Sequence, residues 1–167
     1  MNNVVQASLA ASEADSAEAR LASLKLQLPL PPKPFGTYKE AVRTGELLFL
    51  TGMLPTEGAV PLVIGRVGEE LDVGDGRAAA RLAAVNALAL MREVLGSLDK
   101  VKRLVRLGVY VAASPDVRNL PKVADGASDL FQDVFGAERN PSRLVFGVAG
   151  LPLGVPVEIE VIAEVAD

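Results

Sequence analysis

Arg143 stands in a stretch that is otherwise small or apolar from Leu144 to Val157, and Glu158 and Glu160 follow on a second apolar run. A guanidinium so placed must reach solvent, pair with a carboxylate, or bind a planar anion through two parallel N–H donors. Val157, Ile159, Val161, Ala163 and Val165 alternate with Glu158, Glu160, Ile162 and Glu164, which turns the first set toward a core and the second mostly outward. On pattern alone, solvent-facing carboxylates and a strand arginine paired to one of them are the favoured account of the stretch, because charged residues on strands usually just form the exposed face. The two runs are separated by Leu151-Pro152-Leu153-Gly154, a turn signal that predicts a hairpin or a strand-loop-strand unit. A hairpin turning near Pro152 would leave Arg143 and Glu158 a few residues out of register, about 10 Å apart at the usual strand rise.

The residues that are missing narrow the chemistry further. The 167-residue chain has no His and no Cys, which removes Ser-His and Cys-His nucleophilic machinery, imidazole bases, zinc-thiolate centres, most transition-metal sites and disulfides. No metal site and no cofactor are expected, so reactivity must come from carboxylates, Arg, Lys, Tyr, hydroxyls, backbone groups or water. A net charge of −4, with no basic cluster interleaved with aromatics, disfavours nucleic acid as a partner. The first twenty residues carry Glu13, Asp15 and Glu18 without a basic start, so they do not read as a signal peptide, and no apolar run is long enough to cross a bilayer. The expected location is cytoplasmic. Half the residues are hydrophobic, more than a small monomer needs to hide, which points to buried subunit faces.

The elements that must position these side chains follow from periodicity. Residues 1–34 are expected as a lead: a tail to about residue 16, a short helix capped by Ser16 and running through Gln27, and a proline-rich strap from Leu28 to Pro34 that cannot be helical. Residues 35–167 are expected as one domain. Tyr38 to Arg43 and Glu46 to Thr51 predict two strands joined at Thr44-Gly45, and Leu62 to Val67 a weaker third. Gly74-Asp75-Gly76-Arg77 superficially matches a dinucleotide fingerprint, but no apolar strand precedes it and Asp75 would repel a pyrophosphate, so it reads as a helix start. Helices are predicted over Arg77 to Leu95, with Asn86 as a polar spot, and over Leu120 to Phe135; a strand is predicted over Val101 to Val111. The order βββαβαββ gives an α+β fold, a mixed sheet with two helices on one face.

Gly36-Thr37-Tyr38, Gly45, Leu50-Thr51-Gly52-Met53-Leu54-Pro55, Asn86, Arg143, Gly147-Val148, Leu151-Pro152 and Val157-Glu158-Ile159-Glu160 together resemble the RidA/YjgF/UK114 family, which also carries the name endoribonuclease L-PSP. The resemblance spans about residues 35 to 165, and its last part is the most specific. A lead of about 20 residues, Asn86 with Leu95-Gly96-Ser97-Leu98-Asp99, and Val123-Ala124-Asp125-Gly126-Ala127-Ser128-Asp129 are similar to a less-studied branch rather than to the best-known deaminases. The resemblance implies a chorismate-mutase-like fold, a homotrimer with three pockets at subunit boundaries, and cofactor-free hydrolysis of 2-imino acids to 2-oxo acids and ammonia. It implies that Arg143 holds the substrate carboxylate, that Glu158 is associated with the attacking water, and that Tyr38, Thr51, Gly52, Asp125 and Val145 line the pocket.

Such a mechanism suits this residue set, because an imine beside a carboxylate is already activated and needs only an anchor, a placed water and a proton path. Three positions depart from the pattern of the active deaminases: Val145 stands where Cys is common, although its backbone amide could serve, Met53 where Gln is common, and Asp125 near a usual Asn. Each candidate has a structural alternative: a salt bridge for Arg143, an interface ion pair for Glu158, the rim of the core for Tyr38. Two further functions stand beside deamination, a non-catalytic small-carboxylate binder and an endoribonuclease.

Overall fold

The computed structural model describes residues 16–167. The tail expected before Ser16 lies outside the described residues. Ser16 caps helix α1 (Ala17–Ser23), its Oγ accepting from the Ala19 amide at 3.2 Å. The helix stops well before Gln27, and Lys25 takes a left-handed φ of 53° just after it. Leu26 to Pro34 then runs without helix or strand, as missing proline amides require.

Five strands form the main sheet, in the order β1 (Ala41–Thr44), β2 (Leu47–Leu50), β7 (Val157–Val165), β5 (Val101–Ala112), β6 (Ser142–Val148). β1 and β2 form a hairpin over Gly45, whose φ of +57° suits a tight turn. β7 pairs antiparallel with β2 and with β5, while β6 lies parallel to β5. The final two strands are therefore not a hairpin. Helix α3 (Leu120–Phe135) returns the chain so that β6 enters alongside β5 in the same direction, as a parallel pair requires, and the loop at Leu151–Gly154 then carries it to the far side of β5.

The weak third strand is also corrected. Two very short strands, β3 (Thr56–Glu57) and β4 (Val60–Pro61), make a separate ribbon, and Leu62 to Val67 is loop. Gly65 and Gly68, at φ of +126° and +89°, break any extended run there. Arg66 fastens this loop, donating to the carbonyls of Ala113 and Ala149 and to Glu69.

Helices α2 (Val73–Leu95) and α3 cover one sheet face. α2 starts four residues earlier than its pattern suggested, because Asp72 and Asp75 form a reciprocal capping box that takes Gly74 and Gly76 into the first turn. Ala79, Ala80, Ala83, Ala84 and Ala87 are buried along α2 and let α3 approach closely. At Gly126 of α3 an added Cβ would stand 2.0 Å from the carbonyl oxygen of Arg77. This close packing of small residues uses the alanine-rich composition. α1 is a third helix, lodged against α3 by buried Ala17 and Leu21.

The alternation predicted for β7 is observed, with Val157, Ile159, Val161, Ala163 and Val165 fully buried beneath the helices. Among the described residues no helix covers the opposite sheet face. Val42, Phe49, Leu144 and Phe146 lie on it, 52%, 37%, 42% and 48% exposed.

Candidate functional site

The candidate residues fall into two groups on opposite faces of the sheet. Arg143 points from β6 toward the helices, where Nη1 donates to Oδ1 of Asp125 at 2.8 Å and to Oγ of Ser128 at 2.9 Å, both on α3. Asp125 and Ser128 are three apart, so one helix face presents both. The salt-bridge alternative is thus realised within the chain: Arg143 is half-buried with an internal carboxylate partner. Val145, two residues along β6, turns to the same side and packs against the core.

Glu158 lies on the other face. β5 separates its strand from that of Arg143, which stands opposite Leu107, whereas Glu158 stands opposite Tyr110. Two strand spacings and three residues along β5 put their Cα atoms about 14 Å apart. The shorter separation expected from a hairpin does not occur.

Against Glu158 the structure places Gly52, which shares a cleft with Tyr38 and Thr51. The backbone after β2 bridges to β7, Met53 and Ile159 exchanging amide-carbonyl bonds of 2.7 and 3.0 Å, and this brings Gly52 against Glu158. The Glu158 carboxyl lies over the bare Cα of Gly52, where an added Cβ would stand 1.7 Å from Oε1. Gly52 also lines a narrow cleft with Tyr38, Thr51 and the strap residues Pro32 to Phe35. Its enclosed space is about 10 Å³, the scale of one water molecule and too small for a four-carbon acid. The Tyr38 hydroxyl accepts from the Phe35 amide at 2.9 Å, so the strap fixes one wall.

The electrostatics of Glu158 set it apart. It is half-buried, no hydrogen bond or ion pair to its carboxyl occurs among the described residues, and burial raises that carboxyl above the ordinary range. A half-buried ionisable group with a shifted pKa and no side-chain partner among the described residues is a candidate for a functional carboxylate. Glu160, on the same face, is by contrast engaged: it accepts from Tyr110 Oη at 3.0 Å, and that bond is the leading cause of the raised tyrosine pKa. Asn86 has a structural task, donating from Nδ2 to the carbonyls of Leu54 and Thr56 at 2.8 Å each beneath the cleft. Among the described residues no three acidic side chains converge as a metal site would require.

Sequence reasoning missed Ser128 and the strap wall. The Asp125-Gly-Ala-Ser128 spacing on a helix facing β6 was the available signal for the first; nothing local announces the second.

A profile described as "YjgF/chorismate mutase-like, putative endoribonuclease" matches residues 18–165. The chain belongs to the YjgF/chorismate mutase-like family. Protein TCP17 of Trypanosoma cruzi is 40% identical over 147 residues, 87% of this chain and 92% of that protein. The crystal structure of a protein of unknown function from Agrobacterium tumefaciens is 36% identical, with a TM-score of 0.83 over 92% of this chain and 94% of that one. A 2-iminobutanoate/2-iminopropanoate deaminase from Dermatophagoides farinae is 28% identical over 135 residues, 81% of this chain and 91% of that protein. The mixed sheet with helices on one face is the YjgF fold, and the α1 lead falls almost wholly inside the family match. Among the described residues no helix is long and apolar enough to cross a membrane.

Proposed function

We infer that the chain hydrolyses small 2-imino acids to 2-oxo acids and ammonia, without a cofactor. The observation that carries this reading is Glu158: a half-buried carboxyl with a raised pKa, held over Gly52 beside a water-sized cleft and without a side-chain partner among the described residues. A carboxylate poised in this way is suited to take a proton from water as its oxygen bonds to the imine carbon. That proton passes to nitrogen, and as the C–N bond breaks the new hydroxyl gives its proton to the carboxylate and on to the departing nitrogen, so that ammonia leaves and the 2-oxo acid remains. Arg143 is the anchor for the substrate carboxylate, since a guanidinium fork matches that group. Kinship to an imine deaminase of the mite supports the reaction class.

The anchor and the base lie on opposite sheet faces of one chain, so the working site joins Arg143 of one copy to Glu158, Gly52 and Tyr38 of a neighbour. The sheet face that no described helix covers, with Val42, Phe49, Leu144 and Phe146 exposed, supplies the apolar surface that an assembly would bury. A homotrimer closes such a heterologous contact into a ring. The proposed partners are this small carboxylate and further copies of the chain, in the cytoplasm. Light scattering that gives a monomer at assay concentration would remove the shared site.

A second reading has its own support. The Asp125 carboxylate on Arg143 and the valine at 145 favour a small-carboxylate binder without turnover. One experiment separates the two. Imine generated in situ by a pyridoxal-phosphate dehydratase is followed by ammonia release and by trapping of unhydrolysed imine. Acceleration that is lost in Arg143→Ala and in Glu158→Gln supports deamination; binding of 2-oxo acids with no acceleration selects the binder.

A further inference from the structure

Nη1 of Arg143 carries two hydrogens, and both are engaged, one by Asp125 Oδ1 at 2.8 Å and one by Ser128 Oγ at 2.9 Å. Nε and Nη2 have no partner among the described residues. The fully sealed, unpartnered side-chain polar atom among the described residues is Nε of Arg106, so neither nitrogen of the 28% exposed Arg143 side chain is wholly shut off from solvent. They form one edge of the guanidinium, and a ligand carboxylate can meet it side-on with two parallel bonds. Oδ2 of Asp125 is likewise without a partner among the described residues.

We propose that Asp125 sets the charge class that the Arg143 anchor accepts, favouring a zwitterion with its cationic nitrogen next to its carboxylate over a plain anion. This rests on the reading of Arg143 as the carboxylate anchor. Paired at 2.8 Å, Arg143 and Asp125 carry no net charge together, so a second carboxylate on the Nε/Nη2 edge meets attraction from the guanidinium and repulsion from Asp125. A nitrogen on the carbon next to the ligand carboxylate reverses that balance, because it carries its positive charge toward the aspartate and offers N–H donors to the idle Oδ2. Ser128 holds the other Nη1 hydrogen and keeps the fork from swinging round to present its opposite end.

The consequence bears directly on turnover. A 2-imino acid protonated on nitrogen is such a zwitterion, whereas the 2-oxo acid product is a plain anion. Asp125 thus holds the substrate form and discharges the product. The same pair bars the site to dicarboxylates, which add a further negative charge.

Binding decides the matter without turnover. Titration calorimetry on the full chain uses 2-aminobutanoate as the stable zwitterion and 2-oxobutanoate as the anion of the same carbon skeleton. The parent is expected to prefer the amino acid by about tenfold, the worth of one unpaired charge beside a partly exposed site. Asp125→Asn abolishes or inverts the preference, mainly by tightening the oxo acid. Ser128→Ala weakens both ligands together by loosening the fork and leaves their ratio unchanged, since it removes a hydrogen bond and no charge. Asp125→Ser reads the same quantity should the asparagine variant fold poorly. An unchanged ratio in both Asp125 variants, a Ser128→Ala shift as large as theirs, or no binding of either ligand by the parent overturns the proposal. Ligand binding indifferent to Arg143→Ala sinks the anchor reading instead, and the predicted ratio in a parent that does not speed imine hydrolysis sinks deamination alone.

Discussion

Replacing Gly52 by alanine is the sharpest perturbation of the proposed base, because it separates catalysis from stability. The backbone at Gly52 is not left-handed, so alanine fits it without strain. The obstruction is the Glu158 side chain: an added Cβ would stand 1.7 Å from Oε1, 2.7 Å from Cδ and 3.2 Å from Cγ. Ordinary contact begins near 3.4 Å, so the carboxyl must withdraw by about 1.7 Å, the difference between the two distances. That end of a glutamate is flexible, and the move costs little stability; the loss of a glycine from the unfolded chain even offsets it by about 0.5 kcal/mol. Misplacing a catalytic group by about 1 Å can cost about a hundredfold in rate, or about 2.7 kcal/mol of barrier. Gly52→Ala is therefore expected to melt within a few degrees of the parent while kcat for in-situ 2-iminobutanoate falls about a hundredfold. Ammonia release coupled to a dehydratase measures the rate and differential scanning calorimetry the stability. A variant that turns over within about threefold of the parent refutes the placement of Glu158 as the base.

Glu158 binds its proton more tightly in the folded chain than in the unfolded one, because burial disfavours its charge. The stability it allows is full below the unfolded carboxyl value and is lost as pH rises through the raised folded value. Glu158→Gln should therefore melt above the parent at pH 7, with the gap closing below about pH 4, as thermal scans across pH will read. Asn86→Ala strips the donors from the Leu54 and Thr56 carbonyls, both bonded at 2.8 Å, and leaves a hole in a buried site; urea unfolding should show a loss of about 3 kcal/mol. Gly126→Ala drives a methyl to 2.0 Å from the rigid carbonyl of Arg77, so overpacking between α2 and α3 should lower stability by about 3 kcal/mol in the same assay, unlike Gly52→Ala.

Element by element, much of the fold was legible in the chain. The apolar spacing from Leu120 to Phe135 gave helix α3 its bounds, and the alternation from Val157 to Val165 gave β7 and its buried face. Capping chemistry was readable at Ser16 but not at Asp72, where the acid three residues on, Asp75, was read as part of a glycine-rich start. Leu62 to Val67 looked extended until Gly65 and Gly68 took left-handed φ values and the loop closed on Arg66. These are local matters, decided by periodicity and by single-residue conformational preference, and the sequence carries both directly.

The candidate site divides along another line. Its residue types, an arginine in an apolar strand and a glutamate on the next, are given by the order of amino acids alone, as is the exclusion of imidazole and thiol chemistry. That Arg143 meets Asp125 and Ser128, eighteen and fifteen residues away, that β5 comes between β6 and β7, and that Glu158 faces away from Arg143 beside Gly52, were decided only when helices and strands packed together. Strand neighbours are chosen by which apolar faces are buried jointly and by the direction in which a crossover helix returns the chain, and neither quantity is a property of any short stretch.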